Sequence, residues 1–291
     1  MSEKRRVNKI IAAGAAVLLF VVICLIAYFV KYYGKTDPAD MPMAVSFVDV
    51  GQGDCELIQC EGFNVLIDGG EAEYAEKVAV YLRQRGVEKI DCYILTHPHT
   101  DHIGVSAYIL EHFETAKILL TDFSEFNMPT TKAYETMLEA ADSSGAEVTA
   151  VKAGDTFRYG PLSLDILSPA EETDDYNDMS VVVRAEYKSS RFLFMGDASS
   201  AVEEQLLAEK TVVFADVIKI AHHGSNTASS DKFIKTVAPE FAVISCGRNN
   251  QFGHPSSETL NVLKKNEVEL FRTDTGGTIV LYSNGRKIVT G

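Results

Sequence analysis

Positive charge is scarce in this 291-residue sequence, where 27 lysine and arginine residues face 41 aspartate and glutamate residues for a net charge of −14 at pH 7. The shortage deepens away from the N-terminus. Residues 1–35 hold six of the cations (Lys4, Arg5, Arg6, Lys9, Lys31 and Lys35) against one acid, Glu3, which leaves 21 basic and 40 acidic residues, or −19, downstream. A body that acidic repels polyanions in bulk, so a nucleic-acid substrate would need a local basic track or neutralisation by bound metal. Cysteine is sparse too. Of five copies, Cys24 falls within an apolar run, and Cys55, Cys60, Cys92 and Cys246 form no paired CxxC pattern. That argues against a cysteine-ligated zinc module and leaves buried free thiols. No internal repeat and no Ser or Cys catalytic triad stands out.

What is present begins with IIAAGAAVLLFVVICLIAYFV, residues 10–30, 21 residues without a charge. At ~1.5 Å per helical residue this length matches a hydrocarbon core of ~30 Å, which predicts an uncleaved transmembrane helix. A signal peptide wants a shorter apolar stretch, roughly 7–15 residues, and then small residues at a cut site. Four basic residues precede the run and two follow it closely, so a single-pass cell-membrane protein with a cytoplasmic N-terminus and an extracytoplasmic body is expected. The expected organisation is a basic segment over 1–9, a bilayer anchor over 10–30, a linker over 31–43 and one large domain over 44–291.

From residue 44 the pattern changes. AVSFVDV, CELIQC and NVLIDGG read as strands, then EYAEKVAVYLRQRG as an amphipathic helix, DCYILTH as a buried strand, GVSAYILEHF as a helix and KILLTD as a strand. TKAYETMLEAADSSG reads as a helix ended by Gly145, and LSLDILSP, SVVVRAEYK and RFLFMGD return to strands. The second half adds helices in AVEEQLLAEK, DKFIKTVAP and SSETLNVLKKN, and strands in DVIKIA, FAVISCG, VELFRTD, GTIVLYS and RKIVTG. Two such blocks are compatible with an α/β fold of two packed sheets covered by helices.

The strand YILT runs into HPHTDH, which crowds His97, His99, Asp101 and His102 into six residues. Two imidazoles separated by one residue can reach one metal, and the carboxylate and imidazole after them can reach a second ion ~3.5–4 Å away. A merely structural loop would offer no compensation for so many titratable groups. His112, alone on a predicted helix, reads as an ordinary packing or surface residue. RFLFMGD is an apolar strand that stops at Asp197, and a carboxylate buried there needs a cation or hydrogen-bond partners. Its other reading is an N-cap for the following helix.

HPHTDH resembles the HxHxDH signature of metallo-β-lactamase-fold hydrolases, with LIDGG before it and FMGD and HHGS after it in that family's order. Within the superfamily, FVDVGQGD (47–54), NDMSVVV (177–183), IAHHGS (220–225) and NQFGHP (250–255) resemble the hydrolase domain of ComEC-type DNA-uptake competence proteins. The resemblance covers residues 44–291 and implies a four-layer αββα sandwich holding two divalent ions, Zn²⁺ or Mn²⁺. It puts His97 and His99 on the first metal, Asp101 and His102 on the second, and Asp197 between both. His223 is expected to complete the second metal and His222 to line the pocket or bind the first, because strand alternation gives neighbouring side chains unequal roles. Asp68 should orient a ligand or the loop. Asp49, Gln52 and Asp54 should support the site, although GQG also reads as a hairpin. His254, close to Asn250 in sequence, should donate a proton to a leaving group or hold a phosphate oxygen.

One departure matters. The superfamily usually carries a separate histidine between HxHxDH and the bridging aspartate, and no histidine occurs here between His112 and His222. Asn177, Ser180, one of the HHGS pair or water would fill that position, and a hard ion such as Mn²⁺ suits a weaker site. A hydroxide shared by the ions would attack phosphorus or a carbonyl, with Asp101, His222 and His254 nearest the chemistry. Phosphodiester hydrolysis is the leading expectation, on a nucleic acid or a phosphorylated cell-envelope component. Amide or lactone hydrolysis of the β-lactamase type is the second, and a non-catalytic, metal-stabilised surface binding module the third.

Overall fold

A computed structural model of the chain describes residues 14, 15, 17, 19–25, 37–124 and 127–291. Of the span expected over residues 10–30, 11 of the 21 residues lie outside them. Its described part is helical with exposed side chains, and among the described residues no helix is long and apolar enough to cross a membrane. The described structure therefore lends the anchor no support. Residues Pro42–Gly291 form a unit of their own.

The first half of that unit runs β1 (Met43–Phe47), β2 (Cys55–Cys60), β3 (Phe63–Asp68), α1 (Ala75–Gln84), β4 (Lys89–Ile90), β5 (Cys92–Leu95), α2 (Thr100–Ile103), α3 (Ser106–His112), β6 (Glu114–Thr115), β7 (Lys117–Thr121), α4 (Lys132–Ser144) and β8 (Glu147–Val151). The second half runs β9 (Thr156–Tyr159), β10 (Leu162–Ser168), β11 (Val182–Tyr187), β12 (Ser190–Phe194), α5 (Ser200–Ala208), β13 (Val217–Lys219), α6 (Asp231–Val237), β14 (Phe241–Ile244), α7 (Ser257–Lys265), β15 (Glu269–Arg272), α8 (Thr273–Gly276), β16 (Ile279–Ser283) and β17 (Ile288–Thr290). One sheet has eight strands in the order β17-β16-β1-β2-β3-β5-β7-β8, and the other has seven in the order β15-β14-β13-β12-β11-β10-β9. The chain closes on itself where β16 pairs antiparallel with β1.

Side-chain alternation builds the layers. In β3, Val65 and Ile67 join a core with Phe192 and Phe194 of β12, while Leu66 joins a second core with Val78 and Leu82 of α1, Ile109 of α3 and Met137 of α4. In β12, Leu193 faces a third core with Leu206 of α5, Phe233 of α6 and Leu263 of α7. Both faces of each sheet are covered, so the central strands are apolar at nearly every position. This is the four-layer αββα sandwich that the resemblance implied.

Three details differ from the sequence reading. β8 and β9, the outermost strands of their sheets, were not foreseen, since half-exposed edge strands carry little apolar signal. VELFRTD stops being a strand at Arg272, and Thr273–Gly276 turn helical. The connection from β1 to β2 is no tight hairpin but a seven-residue loop pressed against the HPHTDH segment. Gly53 sits there at φ 147, and a Cβ on it would lie 2.3 Å from the Asp101 carbonyl oxygen, so only glycine permits the approach.

The parallel strands β3 and β5 in one sheet, and β12, β13 and β14 in the other, end at the residues singled out above. Beside that edge lies a buried ion pair. Lys219 on β13 is 1% exposed and donates from Nζ to Asp54 Oδ2 at 2.8 Å and to the Ile220 carbonyl at 2.9 Å. Burial opposes its charge, but the Asp54 carboxylate foremost outweighs that and holds its pKa above the ordinary lysine value. Burial, with Asp54 beside it, pushes Glu56 well above the usual carboxylate range. One carboxylate is therefore charged against one ammonium, which ties the loop before β2 to the opposite sheet.

Lys219→Met should cost roughly 3–5 kcal/mol of stability, because it leaves Asp54 buried without its counter-charge. Lys219→Met with Asp54→Asn should recover most of that loss. Denaturant midpoints check both, and an unshifted midpoint for Lys219→Met would refute the pairing. Cys55, Cys60, Cys92 and Cys246 are free and buried, and burial lifts the thiols of Cys60, Cys92 and Cys246 to about 12. Maleimide at neutral pH should leave all four unmodified in the native protein and label them in denaturant, as read by intact mass.

Candidate metal centre

Asp197, just past the end of β12, is where the two halves of the molecule meet. Helix α5 takes Ser199 as its N-cap, which removes the capping reading of Asp197. Four imidazoles converge on this buried carboxylate. His102 Nε2 lies 3.3 Å from Oδ1, and the Nε2 atoms of His223, His222 and His97 lie 3.6, 3.7 and 3.8 Å from Oδ2. Asp101 Oδ2 is 3.2 Å from His223 Nε2, and His99 Nδ1 is 3.1 Å from His97 Nε2. Two groups share Asp197: Asp101, His102 and His223 with it, and His97 and His99 with it, the candidate ligand atoms of each group all lying within 4.8 Å of one another.

Local structure aims these groups. His99 is extended (φ −73, ψ 148) and caps the single turn α2, from which Asp101 and His102 emerge. Asp68 ends β3, where its Oδ2 is 2.7 Å from His102 Nδ1 and accepts from Thr96 Oγ1 at 2.6 Å. Its Oδ1 accepts from the Thr96 backbone N–H at 2.8 Å. The Nδ1 atoms of the other rings are engaged similarly: His97 with Thr96 Oγ1 at 3.1 Å, His222 with Thr227 Oγ1 at 3.2 Å, and His223 with the Ser245 carbonyl at 2.9 Å. Asp54 Oδ1 also stands 3.2 Å from His223 Nδ1. Each ring thus has one nitrogen fixed by an outer partner and the other turned toward Asp197, which sets ring orientation.

The HHGS pair corrects the alternation argument. β13 has already ended at Lys219, and Ala221–Gly224 form a tight helical turn in which His222 and His223 take φ 49 and 54. Left-handed backbone at both positions brings both rings to one carboxylate, which a strand could not do. They still differ in setting. His223 is buried, whereas the His222 side chain is 26% exposed.

The charges are arranged for a cation. Burial, with His102 nearby, holds His97 well below the ordinary histidine pKa. For His102, burial is outweighed by Asp197, Asp68 and Asp101, which hold its pKa well above that value. For His223, burial is outweighed by Asp197 and Asp54, which raise it to about 10. Asp197 is held well below the carboxylate range by His223 and His102 despite burial. Imidazolium therefore balances carboxylate, and a divalent ion would displace those protons. His102 Nε2 and Asp197 Oδ1 are buried with no hydrogen-bond partner, although they face each other at 3.3 Å. Buried polar atoms rarely stay unpaired, and these fit donors grouped around an ion.

The other expected residues sort by distance from Asp197. Ser180 Oγ accepts from the Asp197 backbone N–H at 3.1 Å and so steadies the turn. Asn177 lines the cleft, and its Oδ1 is buried without a partner. Gln52 Oε1 accepts from Gly247 N–H at 3.1 Å. Asp49 lies on the rim, paired with Lys77 at 3.3 Å. His254 is half-buried, and burial, then His223 and His222, lowers its pKa. His112 is exposed, its Nδ1 2.8 Å from the Tyr108 carbonyl, and it stacks on the Tyr108 ring. Asp101, Asp197, His222 and His254 open into a cleft of about 860 Å³. Thr96, Lys219, Arg248 and Phe252 were missed from the sequence. A lysine inside apolar DVIKIA was a signal that a buried partner existed.

The family described as the Metallo-beta-lactamase superfamily matches residues 48–248. ComE operon protein 3 of Bacillus subtilis (strain 168) is 28% identical over 296 residues, covering 95% of this chain and 36% of that protein. Competence protein ComA of Neisseria gonorrhoeae is 28% identical over 282 residues, covering 93% and 38%. The chain thus spans a little over a third of these curated relatives, and both are of the ComEC type that the motifs resemble. Among solved structures, the metallo-beta-lactamase fold protein YhfI from Bacillus subtilis aligns at TM-score 0.53 and 15% identity, over 81% of this chain and 99% of that one. That likeness speaks for the fold. The matched stretch contains every residue of the cluster around Asp197 and most of both sheets, and on that ground the chain belongs to the metallo-beta-lactamase superfamily.

Proposed function

We propose that this superfamily hydrolase is a phosphodiesterase that works with two divalent ions. His97, His99 and Asp197 would hold one ion, and Asp101, His102, His223 and Asp197 the other. The observation that carries this reading is the convergence on Asp197 of imidazoles whose other nitrogens are already engaged. Paired ions, when bound, supply Lewis acidity and an activated water, so diester cleavage needs no nucleophilic side chain.

The chain's own residues complete the reaction. Asp68 and the Ser245 carbonyl keep His102 and His223 in the tautomers that would present Nε2 to the ions. His222, with Nε2 3.7 Å from Asp197 Oδ2, and Asn177, which lines the cleft, are the candidates for the role of the superfamily's additional histidine, and such a mixed donor set would suit Mn²⁺ as well as Zn²⁺. His254, its pKa lowered, is suited to donating a hydrogen bond to a phosphate oxygen from a neutral ring. The similarity to competence proteins supports a nucleic-acid substrate, and the acidic body favours a shorter strand or a cell-envelope phosphodiester over long duplex DNA. The uncharged run over residues 10–30 is the basis for proposing a single-pass anchor with the body outside the cytoplasm.

Asp197→Ala should lose metal and activity together, since the carboxylate shared by both ions is gone. Asp101→Ala should deplete mainly one ion per chain, and His112→Ala should keep both with wild-type hydrolysis of a phosphodiester. Elemental analysis counts the ions, and a full metal complement at unchanged activity in Asp197→Ala would overturn the assignment. Fractionation of cells should leave the full-length chain in the membrane pellet; recovery mostly in the medium, starting after residue 30, would mean a cleaved leader.

A further inference from the structure

The cleft over Asp197 is lined by unlike groups. Asp49, paired with Lys77, and Glu71 and Glu73 contribute carboxylates to it, and from the segment after β14 come Arg248 and the ring of Phe252. Phe252 is 59% exposed, although it sits in a polar cleft beside candidate metal ligands. It is stacked with His254, with ring centroids 5.7 Å apart and planes 26° from parallel. His254 in turn lies 5.7 Å from His222, ring to ring, and His222 Nε2 is 3.7 Å from Asp197 Oδ2. A continuous step of rings therefore leads from the rim to the reacting centre.

Asn250 fixes that step. Its Oδ1 accepts from the backbone N–H groups of Phe252 at 3.1 Å and His254 at 3.0 Å. Its Nδ2 donates to the carbonyls of Gly247 at 2.9 Å and His254 at 2.6 Å. An aromatic face held in place this way loses little freedom when a flat partner settles on it.

We infer that Phe252, backed by His254, is a stacking surface that selects phosphodiesters carrying a planar ring next to the scissile bond, the nucleobase of a single strand. The inference rests on the phosphodiesterase reading and adds the residue that sets its substrate preference. Stacking tolerates any sequence, because every base has a π face. A base within a duplex is already stacked and paired, so its face is not offered to Phe252. One strand fits where two do not. A polyol phosphate of the cell envelope has no flat ring and would gain nothing from Phe252.

The test compares binding of two end-labelled oligonucleotides of equal length, joined by phosphorothioate linkages that resist cleavage, one of thymidine and one abasic, to the metal-loaded full-length protein by fluorescence anisotropy. Both strands carry the same backbone, so its attraction to the ions cancels in the ratio. The thymidine strand should bind about tenfold tighter. Phe252→Ala should bring the ratio close to one, and Phe252→Trp should restore it. A wild-type ratio of one, or a ratio that survives Phe252→Ala, overturns the inference. So does a poly(glycerol phosphate) that displaces the thymidine strand better than the abasic strand does. Hydrolysis of bis(p-nitrophenyl) phosphate by the metal-loaded protein, run in parallel, decides the phosphodiesterase reading separately.

Discussion

A carboxylate with 2% of its residue surface exposed, standing at the end of an apolar strand, is the constraint around which this molecule is organised. Asp197 cannot be buried there alone, because desolvating an unpaired charge costs far more than a single domain can spare. The chain answers with four imidazoles drawn from two distant segments, His97 and His102 from the first half and His222 and His223 from the second. Bringing those segments to one point requires two sheets packed face to face with their parallel strands ending at a common edge. The return of β16 to pair with β1 closes the halves around that edge.

A second buried charge repeats the logic one layer out. Lys219 reaches Asp54, and Asp54 reaches His223, so an ammonium in one sheet is connected through a loop carboxylate to a ring that faces Asp197. Asp68 gives His102 the same kind of support from the other side, itself held by Thr96. The rigidity of the centre therefore comes less from the residues that face Asp197 than from the partners behind them.

Much of this was legible in the sequence for identifiable reasons. HPHTDH announces itself because six residues carry four candidate ligands, and RFLFMGD because a long apolar strand ends in a carboxylate. Gly145 marks the end of α4 and adopts the left-handed φ of 73 that such a cap wants. The misses share a different physics. β8 and β9 are half-exposed edge strands whose pairing depends on distant neighbours. The two-histidine turn at Ala221–Gly224 depends on backbone conformations that strand alternation does not anticipate. The counter-charge of Lys219, Asp54, lies 165 positions away in sequence, so the buried lysine could be noticed but not matched.

The protons on His102 and His223 have a wider consequence. Their rings stand against Asp197 and Asp101 while Lys219 stands against Asp54, so a basic group of the chain itself already faces each of these carboxylates. An ion entering such a centre would exchange with protons, so its affinity should climb as pH rises.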